Sequence, residues 1–402
     1  MSIENKKYIP AFRFPEFQND GEWVTDTMEI IFDIKNGYTP SKSNPSFWDN
    51  GTIPWFRMED IRKNGHILSD SIQHVTPSAV KNAGLFPAYS IIVATTATIG
   101  EHALIIIDSL ANQQFTFLTK RKSFDDKLDM MYFHYFMFII DEWCKKNTNA
   151  GGLLSVNMDS FKKLTIPYPA SLSEQKKIAG CFVSIDKEID ATKRKLNLLK
   201  GHKKGLMQRL FPTKGKTVPE LRFPKFQNDE EWISRPLSDI LNYEQPTQYI
   251  VEDDTYKKEG TPVLTANKGF ILGYTDESLG IYNKLPVIIF DDFTTDKKYV
   301  DFSFKVKSSA IKLLTLKDEK KDNLRFIFEC MNKIAFEEKE HKRYYISTYQ
   351  HINIYVPSSL QEQNQIADTL LSVDKQISEY DKKIKALELH KKGLMQQLFP
   401  KL

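Results

Sequence analysis

Gly215-Lys216-Thr217 ends like a phosphate-cradling loop, in which glycine amides and a lysine hold phosphate oxygens. That loop also needs a glycine at position 210, where this chain has Leu210, and no strand pattern leads into it. Asp291 and Asp292, followed by Lys297 and Lys298, have the composition of a metal-dependent nuclease cluster. Their spacing is loose, and acidic turns beside lysines are common surface features. The eight histidines are scattered, and His202 and His390 fall in a repeated segment where packing or capping is the expected role. Cys144, Cys181 and Cys330 have neither metal-ligand nor redox spacing and suit a reducing cytoplasm. No nucleophile, base and orienting group can be named together. The expectation is a chain with no catalytic residues and no metal site of its own.

What remains is binding, and the elements that would position a binding surface. At 402 residues the chain has room for two or three domains. Hydrophobic residues at 41% and charged residues at 27% exclude a disordered tail or a disulfide-stapled miniprotein. No basic-then-apolar leader opens the sequence, and the apolar run Met130 to Cys144 is too short to span a bilayer. A cytoplasmic protein with no membrane partner is expected.

The sequence contains itself twice. Ile9 to Trp23 (IPAFRFPEFQNDGEW) returns as Val218 to Trp232 (VPELRFPKFQNDEEW), at an offset of 209. Ser171 to Pro212 returns without a gap as Ser359 to Pro400, at an offset of 188. The layout is a short segment, a variable head and a long segment, stated twice. The variable parts, about 24–170 and 233–358, share little, so one frame carries two unlike heads.

The long segments read as helices. Ile178, Phe182, Ile185, Ile189, Thr192, Leu196, Leu199, Lys203, Leu206 and Leu210 follow alternating steps of four and three. Ile366, Leu370, Val373, Ile377, Tyr380, Ile384, Leu387, Lys391, Leu394 and Leu398 follow the same phase. Such a seam is a coiled-coil signal, with Lys203 and Lys391 its shared exceptions. Each helix would run roughly 58 Å at ~1.5 Å per residue. A zipper joining two copies would look similar. Two matching helices in one chain can instead pair with each other, antiparallel, around a pseudo-twofold axis, and serve as a spacer.

Residues 24–170 carry 14 basic and 15 acidic groups, residues 233–358 carry 18 and 19, and residues 171–212 carry 10 and 4. The heads are near neutral, so nucleic-acid binding would need a local basic surface. In the first head, Ser90 to Thr98 and Phe115 to Leu118 read as strands and Lys127 to Lys145 as a helix. Gly37 to Trp55 reads as a polar, aromatic loop suited to base-edge and phosphate contacts, and equally to plain surface turns.

Over essentially its whole length the chain resembles the specificity subunits of type I restriction–modification systems. Glu174-Gln175 with Ile178, and Glu362-Gln363 with Ile366, look like the entries to that family's conserved helices. Gly37-Tyr38-Thr39-Pro40, Ile53-Pro54-Trp55, the Thr95 to Gly100 turn and Asn112-Gln113-Gln114 look like its target recognition pattern. The second head departs, with Gln245-Pro246-Thr247 where Gly-x-Thr-Pro would stand. Its Pro262 to Thr265, Leu272 to Thr275 and Phe290 to Thr294 resemble another recognition-domain subtype.

The resemblance implies a mixed α/β fold with two target recognition domains and two antiparallel coiled-coil helices. The corresponding division is 1–170, 171–212, 213–358 and 359–402. It also implies a non-catalytic DNA reader. Each head would read one half of an asymmetric bipartite site, the helices would fix the gap, and two methyltransferase subunits would dock. Restriction and translocase subunits would complete the complex, with S-adenosylmethionine, ATP and Mg used by the partners and no cofactor in this chain. Candidate DNA contacts are Lys42, Arg57, Arg62 and Lys63 in the first head, and Gln245, Lys268, Lys297, Lys298 and Arg343 in the second. The alternative is a coiled-coil scaffold whose heads bind proteins.

Overall fold

The computed structural model describes residues 8–81, 84–149, 154–267, 269–337 and 342–402. Two compact units divide the chain: residues 1–192 with 383–402, and residues 193–382. The division falls inside both long helices, Leu172–Arg209 and Leu360–Leu398, so each unit holds part of each helix.

In the first unit, Val24–Thr27 pairs antiparallel with Thr165–Tyr168, closing the head at its base. A five-stranded sheet follows the order Phe32–Asn36, Phe115–Lys120, Ser90–Ala94, His102–Ile105, Ile67–Leu68. Its three central strands are buried over most of their length, with the polar Ser90, His102 and Thr116 buried among their apolar residues. A three-stranded sheet holds His74–Val75, Ile53–Phe56 and Leu110–Ala111. Ser90–Ala94 stops short of Thr98 because the chain turns there: Ala97 and Gly100 take φ of 62° and 91°. A Cβ on Gly100 would also meet the Asp141 carbonyl oxygen at 2.9 Å. The helix starts at Met130, later than the sequence suggests, because the Asp129 side chain accepts from Tyr132 N and caps it.

The second unit repeats this wiring. Ile233–Pro236 pairs with Asn353–Val356. Its main sheet has the order Leu241–Glu244, Ile311–Leu316, Val287–Asp291, Lys297–Val300, and the helix Leu324–Lys333 packs into the same core. A smaller sheet holds Ile271–Thr275, Thr261–Leu264 and Lys305–Val306.

Within each unit the long-helix segments run antiparallel. In the first, Phe182 stacks on Phe399, Lys391 pairs with Asp186 at 2.7 Å, and Lys383 pairs with Glu188 at 2.6 Å. In the second, Lys203 pairs with Asp374 at 2.8 Å, and Lys195 sits 5.1 Å over the Tyr380 ring. Every seam residue named from the heptads is buried or half-buried. The two seam lysines are not exceptions to packing, because each meets the aspartate at the equivalent position of the other helix. His202 and His390 are exposed, which corrects the packing role expected of them.

The repeated short segments and the repeated helix entries bind each other. Arg13 donates to both oxygens of Glu174, at 2.7 and 2.6 Å, and Arg222 donates to both oxygens of Glu362, at 2.8 and 2.7 Å. Gln175 accepts from Asp129 N and donates to the Lys127 and Pro169 carbonyls. Gln363 does the same with Asn323 N and the Lys321 and Pro357 carbonyls. The Glu-Gln pair thus ties a helix entry to the short segment and to its own head.

Candidate nucleic-acid interface

In the first head the sequence motifs converge. Gly37 follows the strand Phe32–Asn36 and lies so close to the turn after Leu110–Ala111 that a Cβ would meet the Ala111 carbonyl oxygen at 2.4 Å. Two residues on, Thr39 donates its hydroxyl to Gln113 Oε1. The Tyr38 carbonyl accepts from Trp55 Nε1 at 3.0 Å, and Trp48 packs edge-on against Trp55 at 5.1 Å. Gly-x-Thr-Pro, Ile-Pro-Trp and Asn-Gln-Gln are therefore parts of one site. The two tryptophans hold the loop together, and among the residues it exposes are Ser41, Lys42, Ser43, Ser46, Asp49 and Asn50.

Lys42 is exposed and has no carboxylate partner among the described residues. Arg57 lies 5.8 Å over the Trp55 ring and 3.4 Å from Glu59. Arg62 and Lys63, on the helix Met58–Asn64, lie 3.7 Å from Glu101 and 2.9 Å from Glu59. These are exposed surface pairs, screened by solvent, which a phosphate can displace. Arg57 caps the helix that carries Arg62 and Lys63 and shares Glu59 with Lys63, while Lys42 lies in the loop that Trp48 ties down through the Ser41 carbonyl.

In the second head, Gln245 Oε1 accepts from Lys312 Nζ at 3.1 Å, and Lys312 lies 3.0 Å from Asp292. Lys312 and Asp292 are both fully buried, and Asp292 also accepts from Tyr345 N. Asp291 accepts from Phe293 N and Thr294 N. The acidic pair is thus occupied with shaping the turn. Arg343 is exposed, 5.8 Å over the Phe293 ring, so it joins Gln245 around this turn. Lys297 and Lys298 are consecutive in a strand and face opposite ways. Lys297 lies 5.6 Å over the Tyr349 ring, and burial holds its ammonium below the usual lysine value. Lys268 lies outside the described residues.

Sequence reasoning missed Asn36, whose Oδ1 accepts from the Thr116 hydroxyl at 2.9 Å. It also missed a buried cluster under the first head. His102 Nδ1 lies 2.8 Å from Asp141, and its Nε2 lies 3.1 Å from the His134 carbonyl. Burial, with the nearby charges of His102, His66 and Lys391, pushes His134 well below the ordinary histidine value. Gly215-Lys216-Thr217 forms a turn after the first long helix, where the Thr217 hydroxyl donates to Glu231.

A family model described as "Type I restriction modification DNA specificity domain" matches residues 21–201 and 229–389, once in each half. The chain belongs to this family. Each family match begins at the end of one repeated short segment and takes in one head and most of one long helix. Among curated relatives, the EcoprrI specificity subunit of Escherichia coli is 49% identical over 158 residues, 39% of each chain. The EcoR124I/EcoR124II specificity subunit of the same species is 51% identical over 132 residues, 32% of each chain. The chain thus matches about two fifths or less of the length of these relatives. Among solved structures, the S subunit of a type I system from M. genitalium superposes with a TM-score of 0.68 at 14% identity. It covers 98% of this chain and 99% of its own, which establishes the shared fold of family members. Among the described residues, no helix is long and apolar enough to cross a membrane.

Proposed function

We propose that the chain is the DNA-reading specificity subunit of a type I restriction–modification complex and is itself non-catalytic. One observation carries the reading: a frame with duplicated anchors holds two heads of unlike loop chemistry, in a chain whose family match is also duplicated. Two unlike heads read two unlike half-sites, so the target is bipartite and asymmetric. Base edges are read in the major groove, where all four base pairs differ. The antiparallel helix pairing keeps the gap constant.

Lys42, Arg57, Arg62 and Lys63 serve one half-site. Gln245, Lys268, Lys297, Lys298 and Arg343 serve the other. Two methyltransferase subunits bring S-adenosylmethionine chemistry, and restriction and translocase subunits bring ATP- and Mg-dependent cleavage.

The test is a methylation map of cells with and without this gene. One asymmetric bipartite motif, methylated only with the gene present, is the expected result. No difference, with the methyltransferase partner present and active, overturns the reading.

A further inference from the structure

Asn36 and Gln245 occupy the same place in the two heads. The offset between them is 209, the offset of the repeated short segments. Asn36 ends the strand Phe32–Asn36, and Gln245 directly follows Leu241–Glu244. Register places Asn36 opposite Thr116, and one step beyond the Glu244–Leu313 pair places Gln245 opposite Lys312. Each carboxamide oxygen is held by that cross-strand residue, by the Thr116 hydroxyl at 2.9 Å and by the Lys312 ammonium at 3.1 Å.

Both holding groups are fully buried and are themselves anchored. Thr116 lies 3.0 Å from the buried Thr95 hydroxyl, and Lys312 lies 3.0 Å from Asp292. Two heads with different side chains have reached the same arrangement. The oxygen is fixed from below, and the amide NH2 has no partner among the described residues.

The surroundings in the first head say what the NH2 is for. Asn36 lines a cleft of about 390 Å³ with Thr95, Gln113, Asn149, Asn157 and Asp159, among others, and its described lining contains no lysine or arginine. Gln113 repeats the theme, its oxygen held by Thr39 and its NH2 without a partner among the described residues. A cleft of carboxamides and hydroxyls, with Asp159 the one charged group of its described lining, suits the edge of a base and repels a phosphate. A fixed amide nitrogen donates, and its oxygen keeps one lone pair free. The donor matches the N7 of either purine in the major groove, and the free lone pair adds an acceptor for the N6 amino group where that purine is adenine. Because the supporting bonds are already made, binding orders little that is not ordered beforehand.

We infer that Asn36 and Gln245 are a matched pair of base-reading residues, each donating its amide to the N7 of a purine, one in each half-site. This rests on the DNA-reading function proposed above.

The test uses the full chain with its co-purified partner subunits and duplexes carrying the motif found by methylation mapping. In one half-site, and then the other, purines are replaced singly by 7-deazapurines, which lack N7 and keep Watson–Crick pairing. Unsubstituted protein should lose affinity by about tenfold or more at one purine in each half, the size of a good base contact. Asn36→Asp, which keeps the acceptor for Thr116 and removes the donor, should become indifferent to the substitution in the first head's half-site alone. Gln245→Glu should become indifferent in the other half alone. If the new charge abolishes all binding, Asn36→Ala and Gln245→Ala carry the same comparison.

Whether the sensitive purine is adenine or guanine emerges from its position. No sensitivity to 7-deazapurines anywhere, or sensitivity that persists in both variants, overturns the inference while leaving the bipartite motif intact. Absence of any sequence preference in the unsubstituted protein would instead overturn DNA reading itself.

Discussion

The same lysine–aspartate pair recurs in both units, yet the two heads answer it differently. Around Lys391 and Asp186 the first head supplies aromatics: the Tyr135 hydroxyl donates to Asp186 at 2.9 Å, and the lysine lies 5.3 and 5.2 Å over Tyr135 and Phe138. Around Lys203 and Asp374 the second head supplies charge, with Arg325 on both Asp374 and Glu329. The frame repeats its side chains, and each head brings its own way of neutralising them. Residues that tie segments together can therefore stay fixed while the residues above them change.

The largest expected effect is on the anchors. Removing Arg222 leaves Glu362 buried and facing no cation, which costs about 3–5 kcal/mol for a buried pair. Arg13→Ala removes the matching anchor, but Arg13 is more exposed, at 14% against 7%, so its loss should be smaller. Trp232 Nε1 also donates to Glu362 at 3.3 Å, whereas Trp23 Nε1 has no partner among the described residues, so the second anchor is the more tightly built. Hydrogen exchange resolved by unit should show destabilisation confined to the unit carrying the change. Equal effects of both substitutions would remove this distinction.

Next come Gln175→Ala and Gln363→Ala. Each orphans a backbone amide and two carbonyls, and should cost about 1–3 kcal/mol by denaturant titration.

Acid should also separate the units. Burial lowers the folded pKa of His134, and of His66, below the ordinary 6.5. As pH falls through 6.5 the unfolded chain takes these protons first, so stability present above that pH is lost below it. The slope is at most about 1.4 kcal/mol per pH unit for each such proton. Asp141, raised chiefly by burial, works in the opposite sense as pH falls further. Exchange protection in the first unit should therefore drop between pH 6.5 and 5. His134→Asn should flatten that drop, and a drop of the same size in the second unit would refute this origin.

The smallest effect belongs to the seam lysines. Lys391→Met leaves Asp186 with Tyr135, and Lys203→Met leaves Asp374 with Arg325, so each should cost about 1 kcal/mol in thermal melts. Pairing Lys391→Met with Tyr135→Phe, which leaves Asp186 without either partner, should cost more than the sum.

The heptads and the repeats were legible because periodicity and identity lie along the chain. Lys203 and Lys391 stood out as breaks in the seam, but their partners, Asp186 and Asp374, lie off it, so only the antiparallel pairing reveals them. The link from Arg13 to Glu174 joins residues 161 positions apart, and no local pattern announces it. Asn36 went unnoticed because its role depends on facing Thr116 across a strand pair. His102 and Asp141 meet only when sheet and helix pack. In the heads, single cations were visible in sequence; which carboxylates they already face was not.

The central claim is that each head reads its own half-site independently. Replacing residues 24–170 with the corresponding head of another family member, and mapping methylation in cells carrying the chimera, tests it most directly. The account predicts a motif with one half changed, the other half retained and the gap unaltered. A motif changed in both halves, or in neither, would contradict it.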